Sequence, residues 1–213
     1  MIHNNKEVYI FGNTKSLNQV IYLASGIDHV EEIIDKLNGE VCLAVVIIKD
    51  WNNELSPWPH PSVFGKNDFG NGADELVEYI SNSLIPYLDS LNNRNNIYLC
   101  GYSLAGMFTL YASGIINGLC GVASVSGSLW FTGFEDYLKK HLPITNRVYL
   151  SLGDKEYISK NKLMSTVKDK TENVYKLLTD NGYECIYESN EGNHFKDVEL
   201  RMSKAINWLI NNH

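Results

Sequence analysis

Residues 96–106, which read NIYLCGYSLAG, constrain the fold of this chain more than any other segment. The apolar residues 97–100 have the length and the β-forming side chains of a central strand, and the pattern after them continues as a buried helix. Ser103 lies on the sharp turn between these elements, where Gly101 and Ala105 are small enough to let strand and helix approach. Such pentapeptides also occur by chance, but the strand–turn–helix setting favours a nucleophile elbow.

The helix after the turn begins at Leu104. A helix N-terminus carries free backbone N–H groups and the positive end of the helix dipole. We therefore expect the Leu104 N–H to stabilise an oxyanion that develops beside Ser103. Tyr102, next to the serine, is a candidate for substrate binding.

Length and composition limit the classes of protein to consider. A chain of 213 residues with 44% hydrophobic residues can bury one sizeable core, so residues 1–213 are expected to form a single domain. The net charge of −7, with scattered Lys and Arg, argues against nucleic acid and anionic membranes as partners. The N-terminus lacks the apolar core of a signal peptide, and no apolar run reaches membrane-spanning length. These features predict a cytoplasmic protein with a neutral small-molecule partner, and they leave its oligomeric state open.

The four cysteines lie in apolar, strand-like runs, at Cys42, Cys100, Cys120 and Cys185. They form neither a Cys-x-x-Cys pair nor a spacing typical of a metal site. We expect them to be buried small hydrophobic residues. Neither a metal nor another cofactor is predicted.

Strand-like and helix-like segments alternate along the chain. The predicted strands are 7–12, 41–49, 96–101, 119–125, 147–153 and 184–189, and the predicted helices are 28–37, 73–91, 104–116, 160–181 and 198–211. Several strands are apolar on both faces, as interior parallel strands are. The alternation predicts an α/β protein with a parallel sheet covered on both faces by helices.

One long segment, residues 50–72, breaks this alternation. Its prolines at alternate positions predict that it holds neither helix nor central strand, and a connection of this length in a compact domain is usually functional. The segment follows strand 41–49, whose carboxyl end lies on the same sheet edge as Ser103. Its backbone is therefore expected to supply a second oxyanion donor, with the N–H of Trp51 favoured over that of Asn52.

Aromatic and small polar residues at the same edge are candidates for a substrate pocket. Trp51 and Trp58 are expected to be pocket walls, although both are also compatible with ordinary core positions, and Asn52 is a further candidate for substrate binding. Residues 126–130 (SGSLW) end the next parallel strand, so Ser128 and Trp130 can line the pocket or form a structural turn.

A serine hydroxyl needs a base to take its proton, and histidine is the usual one. His194 is favoured because it lies in the turn between the last strand and the last helix, at the same sheet edge. His60, in the proline-rich segment, stays open as an alternative. His29 lies at a predicted helix start and is expected to be a surface residue.

The third catalytic group must be a carboxylate that orients the imidazole. Asp154 and Glu156 both follow the strand that precedes the histidine strand. In many hydrolases of this architecture the acid lies three residues after the strand's glycine, which favours Glu156, whereas Asp154 can cap the turn. The chain order is then serine, acid, histidine.

These motifs together, GYSLAG at 101–106, SGSLW at 126–130, LGDKE at 152–156 and GNHF at 192–195, resemble the serine esterase branch of the α/β-hydrolases. That branch includes esterase-D-like proteins and siderophore-ester hydrolases. The resemblance spans nearly the whole chain and is specific for fold and mechanism, not for substrate.

The resemblance implies a three-layer α/β-hydrolase fold with a central, mostly parallel sheet, helices on both faces and no large lid. It also implies hydrolysis of a carboxylic ester through an acyl-enzyme, carried out by Ser103, His194 and either Glu156 or Asp154. The absence of a long insertion after the strand that ends near Ser126 favours short acyl or acyl-sugar esters over long-chain lipids. With only three arginines in the chain, an arginine-lined site for an anionic siderophore is not expected.

Two other functions are compatible with the same sequence. An acyltransferase would use the same three residues, and added alcohols or sugars would then intercept its acyl-enzyme. An inactive hydrolase fold that serves as a binding module would not react with a fluorophosphonate, although the intact set of catalytic residues argues against it.

Overall fold

The centre of the computed structural model, which describes residues 1–63, 65–92 and 96–211, is one sheet of eight strands. In chain order the strands are β1 (Ile2–His3), β2 (Lys6–Gly12), β3 (Asn18–Ala24), β4 (Cys42–Ile47), β5 (Asn96–Tyr102), β6 (Leu119–Val125), β7 (Arg147–Gly153) and β8 (Glu184–Asn190). Across the sheet their order is β1-β2-β4-β3-β5-β6-β7-β8. Pairing is antiparallel from β1 through β2 to β4 and parallel from β4 to β8. The predicted mostly parallel sheet is confirmed.

Strand β3 was not predicted from the sequence, although it is central. It lies between β4 and β5 and pairs with both in parallel. Six of its seven residues are buried, which is typical of an interior strand that is covered on both faces. Its presence means that β4 is not the neighbour of the nucleophile strand β5.

Helices cover both faces of the sheet, as predicted. In chain order they are α1 (Val30–Ile34), α2 (Trp51–Glu54), α3 (Ala73–Tyr79), α4 (Ile85–Leu91), α5 (Leu104–Ser113), α6 (Phe134–Leu138), α7 (Val167–Asp180) and α8 (Val198–Ile210). The apolar faces of α1 and α8 pack on one face of the sheet, and α3 to α7 pack on the other. Within the described part of the chain, no helix is long and apolar enough to cross a membrane.

The observed helices differ from the predicted ones in several places, and the helix predicted at 104–116 ends at Ser113. The helix predicted at 28–37 is only five residues long, and α6 was not predicted. The helix predicted at 73–91 contains one π-helical turn, Ile80–Leu84, between α3 and α4. The helix predicted at 160–181 starts later, after a short 3₁₀ turn.

The prediction that residues 50–72 hold no helix is wrong at their start, where α2 forms. The Asp50 side chain accepts a hydrogen bond from the Asn53 N–H and so caps α2. The helix ends at Glu54, before the first proline of the segment, Pro57. The prolines therefore limit the length of the helix without preventing its start.

Burial of the cysteines is confirmed for Cys42 and Cys100 only. Cys120 is exposed and Cys185 is partly exposed, so the prediction is wrong for both. Cys120 lies at a register shift between β5 and β6, where Leu119 and Gly121 pair with neighbouring residues of β5 and Cys120 is skipped. Such a bulge turns a side chain out of the regular alternation of the strand.

Candidate active site

Ser103 occupies a strained turn between β5 and α5. Its φ of 60° and ψ of −123° are unusual for a residue with a side chain, and such strain is concentrated at functional sites. Two hydrogen bonds hold the turn against the end of β6: the Ser103 N–H donates to the Val125 carbonyl, and the Ser128 N–H donates to the Ser103 carbonyl. The elbow is therefore fixed by its neighbouring strand as well as by its own helix.

Gly101 makes this turn possible. A Cβ atom at this position would lie 2.6 Å from the carbonyl carbon and oxygen of Ala105, which is closer than real contacts allow. The clash is with backbone, so no side-chain rotation can relieve it. The requirement for glycine here follows from the close approach of β5 and α5.

We expect Gly101→Ala to destabilise the protein by about 3 kcal/mol, because the added methyl group must push α5 away from β5. Urea unfolding followed by circular dichroism measures this change. Gly39→Ala is the matched control, since a Cβ there would make only an ordinary contact of 3.6 Å with Ile210. Equal stability of the two variants would contradict the steric argument.

Three side chains form a continuous hydrogen-bonded chain at the carboxyl edge of the sheet. The Nε2 of His194 lies 3.0 Å from the Oγ of Ser103, and its Nδ1 lies 2.6 Å from the Oε2 of Glu156. Ser103 follows β5, Glu156 follows β7, and His194 lies between β8 and α8. The parallel order of the strands brings these separate turns together.

The two alternatives left open by the sequence lie elsewhere. Asp154 uses its carboxylate to accept a hydrogen bond from the Gly192 N–H at 2.7 Å, in the turn that carries the histidine. His60 contacts the Thr132 hydroxyl through Nε2 at 2.9 Å and does not border the cavity at Ser103. The structure therefore brings Glu156 and His194, not Asp154 and His60, to Ser103.

Glu156 is held by several donors at once. Its Oε1 accepts hydrogen bonds from the Gly153 N–H at 2.7 Å, the Ser126 hydroxyl at 2.8 Å and the Arg201 Nη1 at 2.8 Å. Burial by itself raises the pKa of this carboxyl, but the hydrogen bond and charge of His194, with the Gly153 and Ser126 donors, outweigh burial and lower it. Glu156 is therefore ionised at neutral pH, as an imidazole-orienting acid must be.

Arg201 is a site residue that the sequence interpretation missed. It lies on α8, is only 1% exposed, and its Nη1 donates to Glu156, to the Ser126 hydroxyl and to the Tyr102 hydroxyl. Its Nη2 donates to the carbonyls of Glu191 and Asn193, at 3.1 and 2.9 Å, in the histidine turn. One guanidinium therefore connects the acid and the backbone beside the base.

Tyr102 contributes to the same arrangement. Its hydroxyl donates to the His194 carbonyl at 2.8 Å and accepts from Arg201. It also borders the cavity, and its role in substrate binding stays a prediction. Tyr102 thus positions the histidine turn in addition to forming part of the cavity wall.

Replacing Arg201 by methionine is expected to cost about 3–5 kcal/mol of stability, because it leaves the buried Glu156 carboxylate without its cation. We also expect kcat to fall more than KM rises, since the histidine turn loses two backbone tethers. Thermal unfolding and ester kinetics measure both effects. Lys204→Met on the same helix is the control: Lys204 is partly exposed and its pair with Glu188 is expected to contribute about 1 kcal/mol or less. A similar loss in both variants would contradict a special role for Arg201.

A cavity of about 770 Å³ opens at Ser103. Its walls include Trp51, Ser128 and Trp130, which are pocket candidates from the sequence. Met164, in the turn before α7, and Val167, the first residue of α7, also line it. The Ser128 hydroxyl lies 3.5 Å from the Ser103 hydroxyl. This volume is in the usual range for small-molecule sites.

Two predicted pocket residues do not border this cavity. Asn52 turns its side-chain amide to the Asn67 carbonyl, at 2.9 Å. Trp58 donates its indole N–H to the Thr132 carbonyl and packs against Phe131. Trp58 is therefore a structural residue of the long segment.

The structure changes the argument for the second oxyanion donor. Trp51 is predicted because strand 41–49 ends at the same sheet edge as Ser103, and its role as a donor stays a prediction. The structure places β3 between that strand and the nucleophile strand β5. Leu23 of β3 pairs with Gly101, so the chain that leaves β3 passes beside the elbow. Ser25 and Gly26, in that connection, border the cavity.

One group of side chains has atoms of the kind that bind metals. The ligand atoms of His29, Glu32 and Glu199 all lie within 4.8 Å of one another. The His29 Nδ1 lies 3.0 Å from Glu32 and 3.2 Å from Glu199. The hydrogen bond to Glu32, and then the charge of Glu199, raise the pKa of His29. Ion pairing among the three residues accounts for this grouping without a metal.

No protein-family model matches the chain. A relative found by sequence is the uncharacterized protein YbbA of Bacillus subtilis (strain 168), which is 26% identical over 170 residues. The match covers 74% of this chain and 68% of that protein.

Solved structures show a clearer likeness. The siderophore hydrolase EstA from Aspergillus nidulans superposes with a TM-score of 0.72 at 18% identity, over 92% of this chain and 83% of its own. The chain therefore has the α/β-hydrolase fold. The BES protein from Bacillus cereus gives a TM-score of 0.70 at 14% identity, over 96% and 90% of the two chains. The enterobactin esterase FES from Shigella flexneri gives 0.68 at 15%, over 96% of this chain and 54% of its own.

Proposed function

We propose that this protein is a serine esterase that hydrolyses a small carboxylic ester through an acyl-enzyme. The observation that carries the proposal is the hydrogen-bonded chain from Ser103 through His194 to Glu156, which begins at a strained elbow and opens on a cavity. The names of structures with the same fold, a siderophore hydrolase and an enterobactin esterase, support it. Fold alone does not specify an activity, whereas these three groups in this geometry have a defined chemistry.

The first half of the reaction forms the acyl-enzyme. The Ser103 Oγ attacks the ester carbonyl carbon while its proton passes to the His194 Nε2. Glu156 accepts the hydrogen bond from Nδ1–H and stabilises the imidazolium that results. The tetrahedral intermediate then breaks the bond to the alcohol oxygen, which leaves with the proton from Nε2.

The second half consumes water. His194 takes a proton from a water molecule, whose oxygen attacks the acyl carbon bound to Ser103. The bond to the Ser103 Oγ breaks, the Oγ recovers its proton from Nε2, and the carboxylic acid leaves. An alcohol in place of water gives a new ester, which is the acyltransferase alternative.

Backbone N–H groups are proposed to stabilise the oxyanion in both halves. Leu104, the first residue of α5, supplies one donor at the positive end of the helix dipole. The second donor is proposed to come from Ser25 or Gly26, since their connection follows the strand next to β5 and borders the cavity. Loss of one such donor typically costs about 3–4 kcal/mol of transition-state stabilisation.

The segment between β6 and β7 bears on substrate size. It spans residues 126–146 and contains the single five-residue helix α6. A segment of this size favours short acyl groups over long lipid chains.

The cytoplasmic location inferred from the sequence stays a prediction.

Two measurements test the proposal together. A fluorophosphonate should label the protein at Ser103, as peptide mass spectrometry would show, and p-nitrophenyl esters of increasing acyl length should be hydrolysed with a preference for short chains. Adding an alcohol acceptor distinguishes an acyltransferase, because transesterification would then exceed hydrolysis. Absence of both labelling and turnover would contradict the esterase proposal and favour a binding module.

A further inference from the structure

The cavity extends beyond Ser103 into a part that the proposed reaction does not use. We call this part the acidic lobe; it lies between β3, α1 and the start of α8 and is lined by Tyr22, Asp28, His29, Ile33, Val198 and Glu199. We propose that the acidic lobe binds a cationic group of the ammonium class that is carried by the ester substrate. This inference rests on the proposed esterase function and names the substrate class for it.

The residues that line the acidic lobe carry negative charge. Asp28 and Glu199 both border the acidic lobe, and among the described residues that line the cavity there is neither lysine nor arginine. Glu199 is 22% exposed and its ion-pair partner is His29, which also pairs with Glu32. One histidine shared between two carboxylates leaves the lobe with excess negative charge, and charge in a concave site attracts ligands of the opposite sign.

The arginines of the chain lie away from the cavity lining or outside the described residues. Arg201 is buried behind Glu156, and Arg147 pairs with Glu184 and stacks on Trp208. Arg94 lies outside the residues that the structure describes. The described lining therefore offers an anionic ester no arginine or lysine, which weighs against an anionic siderophore as the substrate of this chain.

Tyr22, a residue of β3 that borders the acidic lobe, gives independent support. The residue is nine-tenths buried and faces the cavity, and its hydroxyl makes no hydrogen bond to the described residues. Burial raises the pKa of this phenol, so it stays neutral and its oxygen can accept a hydrogen bond. An ammonium N–H of a ligand in the cavity could therefore donate to this oxygen.

Apolar residues complete the acidic lobe. Ile33 of α1 is 2% exposed, and Val198 begins α8. They can pack against a short aliphatic segment, while the Tyr22 ring can contact a cation through its face. The lobe therefore suits a positive group at the end of an apolar spacer.

A matched pair of substrates tests the inference. One p-nitrophenyl ester has a six-carbon acyl chain that ends in a dimethylammonium group, and its isostere ends in an isopropyl group. We expect kcat/KM to be about tenfold higher or more for the cationic ester, as one favourable charge contact in a partly buried site predicts. In Glu199→Gln this ratio should fall toward one, and Asp28→Asn, a second variant in case the first fails to fold, should lower it too.

Glu31→Gln is the control, since Glu31 is an exposed carboxylate on α1 that does not border the cavity. The ratio should stay at the wild-type value in this variant. Equal kcat/KM for both esters in the wild-type protein, or an equal fall in Glu31→Gln and Glu199→Gln, would overturn the inference and leave the esterase proposal intact.

Binding of the two corresponding amides, measured by calorimetry, keeps the inference testable without turnover. Tighter binding of the cationic amide, lost in Glu199→Gln, would support the acidic lobe even if the chain proved to be an inactive hydrolase. Equal affinities would overturn it. Failure of the esterase proposal is recognised separately, by absence of fluorophosphonate labelling.

Discussion

Ser103→Ala is expected to lower kcat for ester hydrolysis by about 10⁶ and to abolish fluorophosphonate labelling, because the variant has no nucleophile for the acyl-enzyme. The fold should persist, since the hydrogen bonds that hold the elbow to β6 use the backbone of residue 103 and not its side chain. Initial rates with a short p-nitrophenyl ester and circular dichroism of the same samples measure the two effects.

Ser128→Ala is the matched control for that experiment. Its hydroxyl lies 3.5 Å from that of Ser103 and borders the same cavity, but it does not contact His194 in the hydrogen-bonded chain. We expect Ser128→Ala to keep its labelling and to lose at most about tenfold in kcat. Labelling that persists in Ser103→Ala and disappears in Ser128→Ala would move the nucleophile to Ser128.

The elbow could be predicted from the sequence because its requirement is local. A serine on a strand-to-helix turn needs a small residue two positions before it, and the backbone of Ala105 lies 2.6 Å from where a Gly101 Cβ would be. The turns of Glu156 and His194 could be placed because the carboxyl ends of parallel strands meet at one edge. Both features follow from backbone packing and strand order, so they can be predicted without knowing where the side chains of distant elements point.

The connection that contains Ser25 and Gly26 could not be identified from the sequence because strand β3 was missed. Residues 13–17 alone separate β2 from β3, and they contain no helix, so the alternation of strands and helices did not indicate a second strand there. Without β3, only the connection after β4 was considered as the source of the second donor. The N–H of Trp51 in that connection stays a prediction, and the position of β3 adds Ser25 and Gly26 as candidates.

Arg201 and the acidic lobe were missed for a different reason, because each depends on residues that are far apart in the sequence. A lone arginine in an amphipathic helix usually reaches solvent, because burial of a guanidinium is unfavourable unless several partners surround it. The partners of Arg201 come from β5, from the turns after β6 and β7, and from the histidine turn. Such convergence depends on the three-dimensional arrangement and leaves no periodic signal in the sequence.

The choice between Glu156 and Asp154 is the second prediction with a large effect. Glu156→Gln is expected to lower kcat by up to about 10⁴, as loss of the acid does in other serine-hydrolase triads. Asp154→Asn should lower kcat by about tenfold at most, because the asparagine oxygen can still accept the Gly192 N–H that the carboxylate accepts now. Both values are measured with the same ester at neutral pH.

Four groups donate hydrogen bonds to the Glu156 carboxylate, three of them to Oε1 and one, His194, to Oε2. This division explains why Glu156→Gln is expected to have a large effect. Donors from Gly153, Ser126 and Arg201 all point at Oε1, so a glutamine would keep its carbonyl oxygen there and turn its NH₂ group toward His194. That NH₂ donates to Nδ1 and forces the tautomer with hydrogen on Nε2, which can no longer accept the Ser103 proton. A severe loss in Asp154→Asn with a mild loss in Glu156→Gln would show that the histidine turn rearranges and that Asp154 orients the base during turnover.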